Sequence, residues 1–172
     1  MTYRRQISII GSRSLGDEAL AIVRTLSTRL VDEGYRIVTG GLGTLPNAVH
    51  QGATSSTSYT GGDTIALLPG FDPEPALGHA DIIIPTGLDI ARNSLVANGD
   101  AVIAIGGGAG TLSEIAFAWQ MNRPIISLGC GGWSEKLSGE TIDQRFPEKA
   151  IIYCDSIESR KPLWVGQPRC TI

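Results

Sequence analysis

Short apolar runs separated by amphipathic helical patterns follow one another along most of the 172-residue chain. The first run, residues 6–10, ends at a glycine, and the pattern after it predicts a helix over residues 16–33. Apolar residues recur at intervals of three or four on one face of that helix, at Ala19, Val23, Leu26 and Leu30. A strand, a helix and a second strand in succession are typical of the βαβ unit of a parallel sheet.

Further strands are predicted at residues 36–39, 64–68, 81–84, 101–105, 124–128 and 150–153. Residues 101–105 are apolar throughout, which is typical of a central strand that helices cover on both faces. Helices are predicted at residues 46–53, at 89–98 and from the 106–111 segment to about residue 121. The pattern therefore predicts an α/β fold with a Rossmann-like, doubly wound, mainly parallel sheet of about seven strands and helices on both faces.

The length suits one domain with one core, which we expect over residues 1–155. Residues 156–172 lack helical periodicity and contain two prolines, so they are predicted to form an irregular C-terminal tail. Residues 129–134 are rich in glycine and are expected to form a flexible loop. Trp133 in that loop either stacks on a ligand ring or lies on a plain surface loop.

Composition narrows the class of protein. The 22 glycines and the 6% of aromatic residues indicate many tight backbone turns. The formal net charge of −3 argues against nucleic-acid binding through a broad basic surface. No run reaches the roughly 18 apolar residues of a membrane span, and no signal-peptide core follows Met1, so a cytoplasmic protein is expected. The cysteines and histidines lack metal-ligand spacing, so no protein-bound metal is expected.

Three glycine-rich segments each follow a predicted strand and precede a predicted helix. In a doubly wound sheet, ligands bind outside the carboxyl ends of the strands, where the N–H groups of a helix N-terminus attract anions. Glycine lets the backbone approach an anion closely. The segments therefore predict a site for a small phosphate-bearing ligand. The candidate residues in them are Gly11, Ser12, Arg13, Gly40, Gly41, Gly43, Thr44, Gly106, Gly107, Gly108, Ala109, Gly110 and Thr111.

The familiar nucleotide-binding motifs are absent. The chain has no GxGxxG, and no acidic residue closes the second predicted strand, so a site for NAD is disfavoured. It has no GxxxxGK[ST] either. The first lysine, Lys136, comes after all three glycine segments, which argues against a phosphate-binding P-loop lysine and against a pyridoxal phosphate Schiff base in this site.

Two arginines and one glutamate are candidate site residues. Arg92 is predicted in the first turn of a helix, where the helix dipole disfavours a cation. It is therefore either an anion clamp reaching the crevice or a surface arginine with a salt bridge, and Arg13 has the same two interpretations. Glu114 also has two. The spacing from Thr111 fits a capping box, whereas a carboxylate there would also suit contact with ribose hydroxyls or proton transfer.

Residues 107–114, with the sequence GGAGTLSE, resemble the PGGxGTxxE signature of the Lonely Guy (LOG) family, formerly mislabelled lysine decarboxylases. The wider pattern adds Arg92-Asn93, Arg123-Pro124 and a Gly-Gly-Trp sequence at 131–133. It is more similar to the branch of the LOG-like (SLOG) superfamily that contains molybdenum cofactor carrier proteins. The similarity extends from about residue 7 to residue 155.

This resemblance implies a Rossmann-like homo-oligomer, either a dimer or a tetramer. In the enzyme branch, cytokinin riboside 5'-monophosphate is cleaved to the free base and ribose 5-phosphate, and Arg92 and Glu114 match the arginine and glutamate of that branch. The chain departs from it at two positions. Gly106 stands where the signature has proline, and Asn93 stands where a lysine usually follows the arginine.

Those departures favour a carrier that holds the molybdenum cofactor as cargo. The resemblance then implies that the cofactor is held by its phosphate and pterin, and that the glycine turns, Ser12 and Arg92 grip the anion. Asn93 belongs to the same ligand site, and molybdoenzymes are the expected recipients of the cargo. The alternative is a phosphoribohydrolase that acts on nucleoside 5'-monophosphates, with Glu114 assisting glycosidic cleavage.

Overall fold

The computed structural model describes residues 3–154, and seven strands in this part of the chain form one sheet. The strands are β1 (Gln6–Gly11), β2 (Arg36–Thr39), β3 (Thr64–Leu68), β4 (Ile82–Pro85), β5 (Ala101–Ile105), β6 (Ile125–Leu128) and β7 (Ile152–Cys154). The helices are α1 (Asp17–Asp32), α2 (Thr44–Thr54), α3 (Asn93–Val96), α4 (Ala109–Gln120) and α5 (Gly132–Lys136). Short 3-10 turns span Glu74–Ala76 and Asp89–Arg92.

The sheet has the doubly wound order β4-β3-β2-β1-β5-β6-β7, and every neighbouring pair of strands is parallel. The chain starts at β1, winds outward to β4 and then returns to β5 on the other side of β1. Gly11 at the end of β1 lies in register with Ile105 at the end of β5. Connections that leave these two strands in opposite directions open a crevice between them. The predicted Rossmann-like parallel fold is confirmed.

Helices cover both faces of the sheet. On one face Ile9, Ile37 and Ile103 pack in a single apolar cluster with buried residues of α1 and α2. On the other face, alternate residues such as Val102 pack with Trp119 and other buried residues of α4. Every residue of β5 is buried, as its wholly apolar sequence predicts for a strand covered on both sides.

The helix predicted at residues 89–98 is wrong in extent. The structure has a 3-10 turn at Asp89–Arg92 and a single α-helical turn, α3, in its place. Asp89 adopts the left-handed backbone conformation, with φ 48°, which is incompatible with a regular helix start. At the other end Gly99 passes close to β1, because a Cβ there would lie 2.4 Å from the Ser8 hydroxyl.

The flexible loop predicted at residues 129–134 is also corrected. The segment leads into α5, which is bound to the backbone of the glycine turn after β5. The N–H groups of Trp133 and Ser134 donate to the carbonyls of Gly107 and Gly106 at 3.0 and 3.1 Å. The Gly106 N–H donates in return to the Ser134 hydroxyl at 2.7 Å. Trp133 lies outside the crevice, with the Lys136 ammonium 4.9 Å from its ring.

The structure bears on two other predictions, the absence of a membrane span and the irregular C-terminal tail, only within the described residues. Within residues 3–154, no helix combines the length and the apolar character that crossing a bilayer requires. The irregular tail predicted at residues 156–172 lies outside the described residues.

Candidate functional site

A crevice of about 520 Å³ lies outside the carboxyl ends of the central strands. It contains eleven of the residues predicted from the sequence: Gly11, Ser12, Arg13, Gly40, Arg92, Asn93, Gly108, Ala109, Gly110, Thr111 and Glu114. The other candidates, Gly41, Gly43, Thr44, Gly106 and Gly107, do not line it. The structure thus brings residues from all three glycine segments and from the α3 region to one place.

The turn after β5 presents the start of α4 to the crevice. Gly106 and Gly107 have φ angles of 65° and 97°, and they turn the chain so that α4 begins at Ala109. A Cβ on Gly107 would lie 2.2 Å from the Thr111 hydroxyl, so only glycine fits there. That hydroxyl donates to the Gly11 carbonyl at 3.0 Å and ties the turn to β1. The first turn of an α-helix leaves its N–H groups without intrahelical partners, which suits an anion.

The first and second glycine segments are joined by backbone contacts. The Arg13 carbonyl accepts the Thr44 N–H at 2.9 Å, and a Cβ on Gly43 would lie 2.2 Å from that same oxygen. Gly41 packs against Leu68, whose side chain would be 2.8 Å from a Cβ. Gly41, Gly43 and Thr44 therefore hold the wall of the crevice in place from behind, while Ser12 and Arg13 lie on its surface.

Arg92 carries the principal positive charge of the crevice. Its side chain is only 11% exposed, and its Nε and Nη1 atoms have no hydrogen-bond partner within residues 3–154. Gly40 makes room for the guanidinium, since a Cβ there would lie 2.2 Å from Nη1. Burial lowers the pKa of Arg92, Glu114 opposes that shift, and the charge of Arg13 adds to it. A buried guanidinium whose donors lack partners within the protein is chemically suited to pair with an anion.

Glu114 faces Arg92 across the crevice floor. Its side chain is 9% exposed, and one carboxylate oxygen lies 3.8 Å from Arg92 Nη1, which is an ion pair but too long for a hydrogen bond. Burial raises the pKa of Glu114 to about 7, and the positive charge of Arg92 limits the rise. The capping-box interpretation is wrong, because Gly108 is the N-cap residue of α4 and no side chain caps that helix. Thr111 and Glu114 are thus already inside the helix.

Asn93, the residue that stands where the enzyme branch has lysine, is buried. Its side-chain amide donates to the Ser113 hydroxyl at 2.8 Å, and that hydroxyl donates to the Gly110 carbonyl at 2.7 Å. Asn93 therefore fastens the segment that carries Arg92 to the first turns of α4. This contact keeps the guanidinium and the helix N-terminus in one rigid frame.

Sequence analysis missed one charged residue and most of the apolar surface of the crevice. Asp89 lines it together with Ile9, Ile10, Leu42, Leu45, Pro46, Pro69 and Ile90. Most of these residues lie within a few positions of the predicted candidates, but an apolar residue next to a glycine turn is equally typical of the core, so the sequence did not identify them as part of the crevice. Pro69 alone comes from a connection away from the candidate segments. No group of three or more metal-ligating His, Cys, Asp or Glu side chains occurs among the described residues. That the protein binds no metal directly stays a prediction.

The fold and the crevice define the class as doubly wound, Rossmann-like α/β proteins with a pocket at the switch point of the sheet. Within that class the chain belongs to the SLOG cluster4 family, whose profile matches residues 4–160. An uncharacterized protein of Archaeoglobus fulgidus is 33% identical over 152 residues, which cover 88% of this chain and 95% of that protein.

Several solved protein structures are also similar to this chain. The molybdenum cofactor binding protein of the phototrophic bacterium Rippkaea orientalis has a TM-score of 0.74 and 28% identity, over 91% of this chain and 92% of that one. The Moco carrier protein of Chlamydomonas reinhardtii has a TM-score of 0.67 and 25% identity, over 90% and 91%. DNA processing protein A of Helicobacter pylori, described as binding single-stranded DNA, has a TM-score of 0.61 over 77% and 71%. At 20% identity it shows a common fold alone.

Proposed function

We propose that this protein binds the molybdenum cofactor through its phosphate and pterin and acts as a carrier for it. The observation that carries the proposal is the buried guanidinium of Arg92, whose Nε and Nη1 have no hydrogen-bond partner within residues 3–154. Two structurally similar proteins, from Rippkaea orientalis and Chlamydomonas reinhardtii, are described as binding or carrying this cofactor.

The anionic end of the ligand has a defined place in this proposal. A buried donor without an acceptor costs about 1–3 kcal/mol, and more when it is charged, so an anion that accepts from Arg92 would offset that cost. The first turn of α4 adds N–H groups and the positive end of its dipole. Arg13, exposed on the crevice wall, brings a second positive charge. These groups suit a phosphate better than a carboxylic acid, because they approach from several directions.

The rest of the crevice suits a ligand larger than phosphate. Its volume of about 520 Å³ falls in the range of pockets that enclose a whole cofactor or nucleotide. Apolar side chains such as Leu42, Pro69 and Ile90 line it beside the charged groups. Apolar walls next to an anion site suit a pterin ring attached to a phosphate.

The test is to load the protein with molybdenum cofactor released from a molybdoenzyme, desalt it, and quantify the bound pterin by fluorescence after oxidation. Arg92→Met should retain the cofactor with an affinity roughly 10- to 100-fold lower, since charged hydrogen bonds are lost. Arg145→Met is the matched control, because Arg145 is exposed and lies outside the crevice. Equal retention by Arg92→Met and wild type would contradict the proposal.

A second candidate is hydrolysis of nucleoside 5'-monophosphates, as in the enzyme branch. One observation favours it, namely that the pKa of Glu114 is raised to about 7, so that this carboxyl holds a proton in a good fraction of molecules at neutral pH. A protonated Glu114 would give its proton to the base as the N-glycosidic bond breaks, and the water that adds to the ribose carbon would return a proton to the Glu114 carboxylate. Against it, Asn93 is engaged with Ser113 and replaces the lysine of that branch.

The two candidates differ in turnover. We would incubate the protein with a panel of nucleoside 5'-monophosphates, including an isopentenyl-adenine nucleotide, and measure released base by chromatography. The carrier proposal expects no release by wild type or by Glu114→Ala. Release by wild type that disappears in Glu114→Ala would make Glu114 catalytic and overturn a purely carrier role.

As a carrier, the protein would hand the cofactor to molybdoenzymes. Independently of that role, the family resemblance implies a dimer or a tetramer. A size measurement of the purified protein by light scattering tests the second point. Binding of single-stranded DNA is not expected, because the crevice that carries the proposal is small and the net charge of the chain is −3.

A further inference from the structure

Asp89 places a second acid in a crevice otherwise suited to an anion. Among the residues that line the crevice, Asp89 and Glu114 are the two carboxylates. Glu114 pairs with Arg92. Asp89 is exposed to the crevice, and within residues 3–154 its side chain makes no hydrogen bond or ion pair. A free negative charge at this position weakens the binding of a bare anion, so its presence calls for a separate explanation.

The backbone fixes the place of that carboxylate. Asp89 has a φ of 48°, and its N–H donates to the Pro69 carbonyl at 2.9 Å, just after β3. The preceding N–H, that of Leu88, donates to the Thr86 hydroxyl at 3.2 Å. Aspartate and asparagine both tolerate this left-handed conformation, so the conformation alone would be satisfied by either residue. The conformation therefore does not account for the charge.

Asp89 and Arg92 are set to act on one ligand. They are the first and last residues of the 3-10 turn Asp89–Arg92, and both line the crevice. One offers hydrogen-bond acceptors and the other offers donors. Between and beside them lie the apolar side chains of Ile90 and Pro69. This arrangement fits a molecule with an anionic end, a flat body and an edge of N–H donors.

We infer that Asp89 determines specificity for the ring of the ligand, and that it selects a heterocycle with a 2-amino-4-oxopyrimidine edge, the edge shared by pterins and guanine. That edge presents two adjacent N–H donors, which match the two oxygens of one carboxylate. Adenine presents a donor beside an acceptor and would leave one oxygen of Asp89 facing a lone pair. The inference rests on the proposed function, because Arg92 must hold the anionic end.

The experiment compares guanosine and inosine 5'-monophosphates, which differ by the 2-amino group alone, in calorimetric titrations of wild type and Asp89→Asn. Wild type should bind the guanosine nucleotide roughly 10- to 100-fold more tightly, the range expected for a hydrogen bond to a charged group. Asp89→Asn keeps the size and the tolerance of positive φ, and it should reduce that preference to about twofold or less. Inorganic pyrophosphate, which has no ring, should bind the variant more tightly, because a negative charge is gone.

Each outcome decides a different question. Equal affinity of wild type for the two nucleotides, no binding of either, or an unchanged preference in Asp89→Asn would overturn the role of Asp89. Pyrophosphate titrations of wild type and Arg92→Met test the anion site independently of the ring. Pyrophosphate binding that is lost in Arg92→Met would leave the anion site standing even if the inference about Asp89 fails.

Discussion

Buried charged side chains have different numbers of hydrogen-bond partners at the two ends of the sheet. At the amino ends of the strands, Asp81 accepts hydrogen bonds from the N–H groups of Asp63 and Thr64 at 2.9 Å and from the Tyr59 hydroxyl at 2.5 Å. Arg4 forms an ion pair with Asp63 in the same cluster. At the carboxyl ends, Arg92 keeps two nitrogens without a partner in the described part of the chain.

This contrast separates a structural polar cluster from a candidate binding site. The cluster of Asp63, Asp81, Thr64, Tyr59 and Arg4 is here called the amino-end cluster. Its charges are paired within the protein, because Asp81 accepts four hydrogen bonds and Asp63 Oδ1, which accepts no hydrogen bond, forms an ion pair with Arg4. Burial acts to raise the pKa of Asp81, but the hydrogen bonds from Tyr59, Thr64 and Asp63 outweigh it and the pKa lies below its usual range. In the crevice, burial of Glu114 prevails and the pKa rises. A charge that lines a crevice and lacks close partners within the protein is available to a ligand.

The largest effect is expected when the amino-end cluster is broken. Asp81→Asn replaces two carboxylate oxygens that accept four hydrogen bonds by one carbonyl, and it presents an amide donor to groups that are themselves donors. We expect a loss of about 2–4 kcal/mol in the free energy of unfolding, measured by urea denaturation.

The Asp81→Asn variant also tests whether the crevice is independent of the amino-end cluster. Because the amino-end cluster is separate from the crevice, pyrophosphate affinity of folded Asp81→Asn should stay within about twofold of wild type, the additivity expected for distant sites. A tenfold loss of pyrophosphate affinity in fully folded protein would show that the two ends of the sheet are coupled, so that the amino-end cluster also shapes the binding site.

Glu114 is expected to have a smaller effect on the free energy of unfolding, with a pH dependence opposite to that of Asp81. Its pKa is about 7 in the folded protein and about 4.3 in an unfolded chain, so the folded state binds the proton more tightly. The stability contributed by the protonated carboxyl is therefore complete below about pH 4 and is lost as the pH rises towards 7. Asp81 acts in the other direction, since its lowered pKa adds stability that disappears on acidification.

Urea denaturation between pH 5 and 8 (the window chosen from) would measure the contribution of Glu114. The unfolding free energy of Glu114→Gln should lack a decline of about 2–3 kcal/mol that wild type shows over this window. Adding saturating pyrophosphate should enlarge the decline in wild type, because an anion beside Arg92 cancels the positive charge that limits the rise of the Glu114 pKa. Parallel pH profiles of the two proteins would contradict the assignment of the raised pKa to Glu114.

The sequence predicted much of the framework, because apolar runs and glycine turns are local signals. All seven strands and the place of the glycine turns at their carboxyl ends follow from such patterns. The amino-end cluster does not, since Arg4 and Asp63 are far apart in the chain and meet only through strand order. For a related reason, the sequence did not predict that Asp89 lines the crevice. Its backbone conformation depends on a hydrogen bond to Pro69, in the connection after the neighbouring strand.

The two interpretations of Glu114 show where spacing alone misleads. The spacing from Thr111 to Glu114 fits a capping box only if Thr111 is the N-cap residue, and the four residues by themselves do not show where the helix begins. The structure decides by the positive φ angles of Gly106 and Gly107, which let α4 begin at Ala109, so the Thr111 hydroxyl turns to β1 instead of the helix end. A helix start set by backbone torsions two glycines earlier leaves no periodic trace in the sequence.

The smallest of the expected effects concerns how Arg92 is accommodated. Gly40→Ala introduces a Cβ that would lie 2.2 Å from Arg92 Nη1, so the guanidinium must shift within the crevice. We expect a cost of about 1 kcal/mol in stability and a roughly three- to tenfold loss of pyrophosphate affinity, because charged hydrogen bonds depend on direction. Gly70→Ala is the matched control, since the nearest heavy atom to a Cβ there is 4.0 Å away. If both substitutions change the pyrophosphate affinity equally, the position of Arg92 does not depend on the space left by Gly40. The crevice would then hold its charged side chain less tightly than the amino-end cluster holds Asp81.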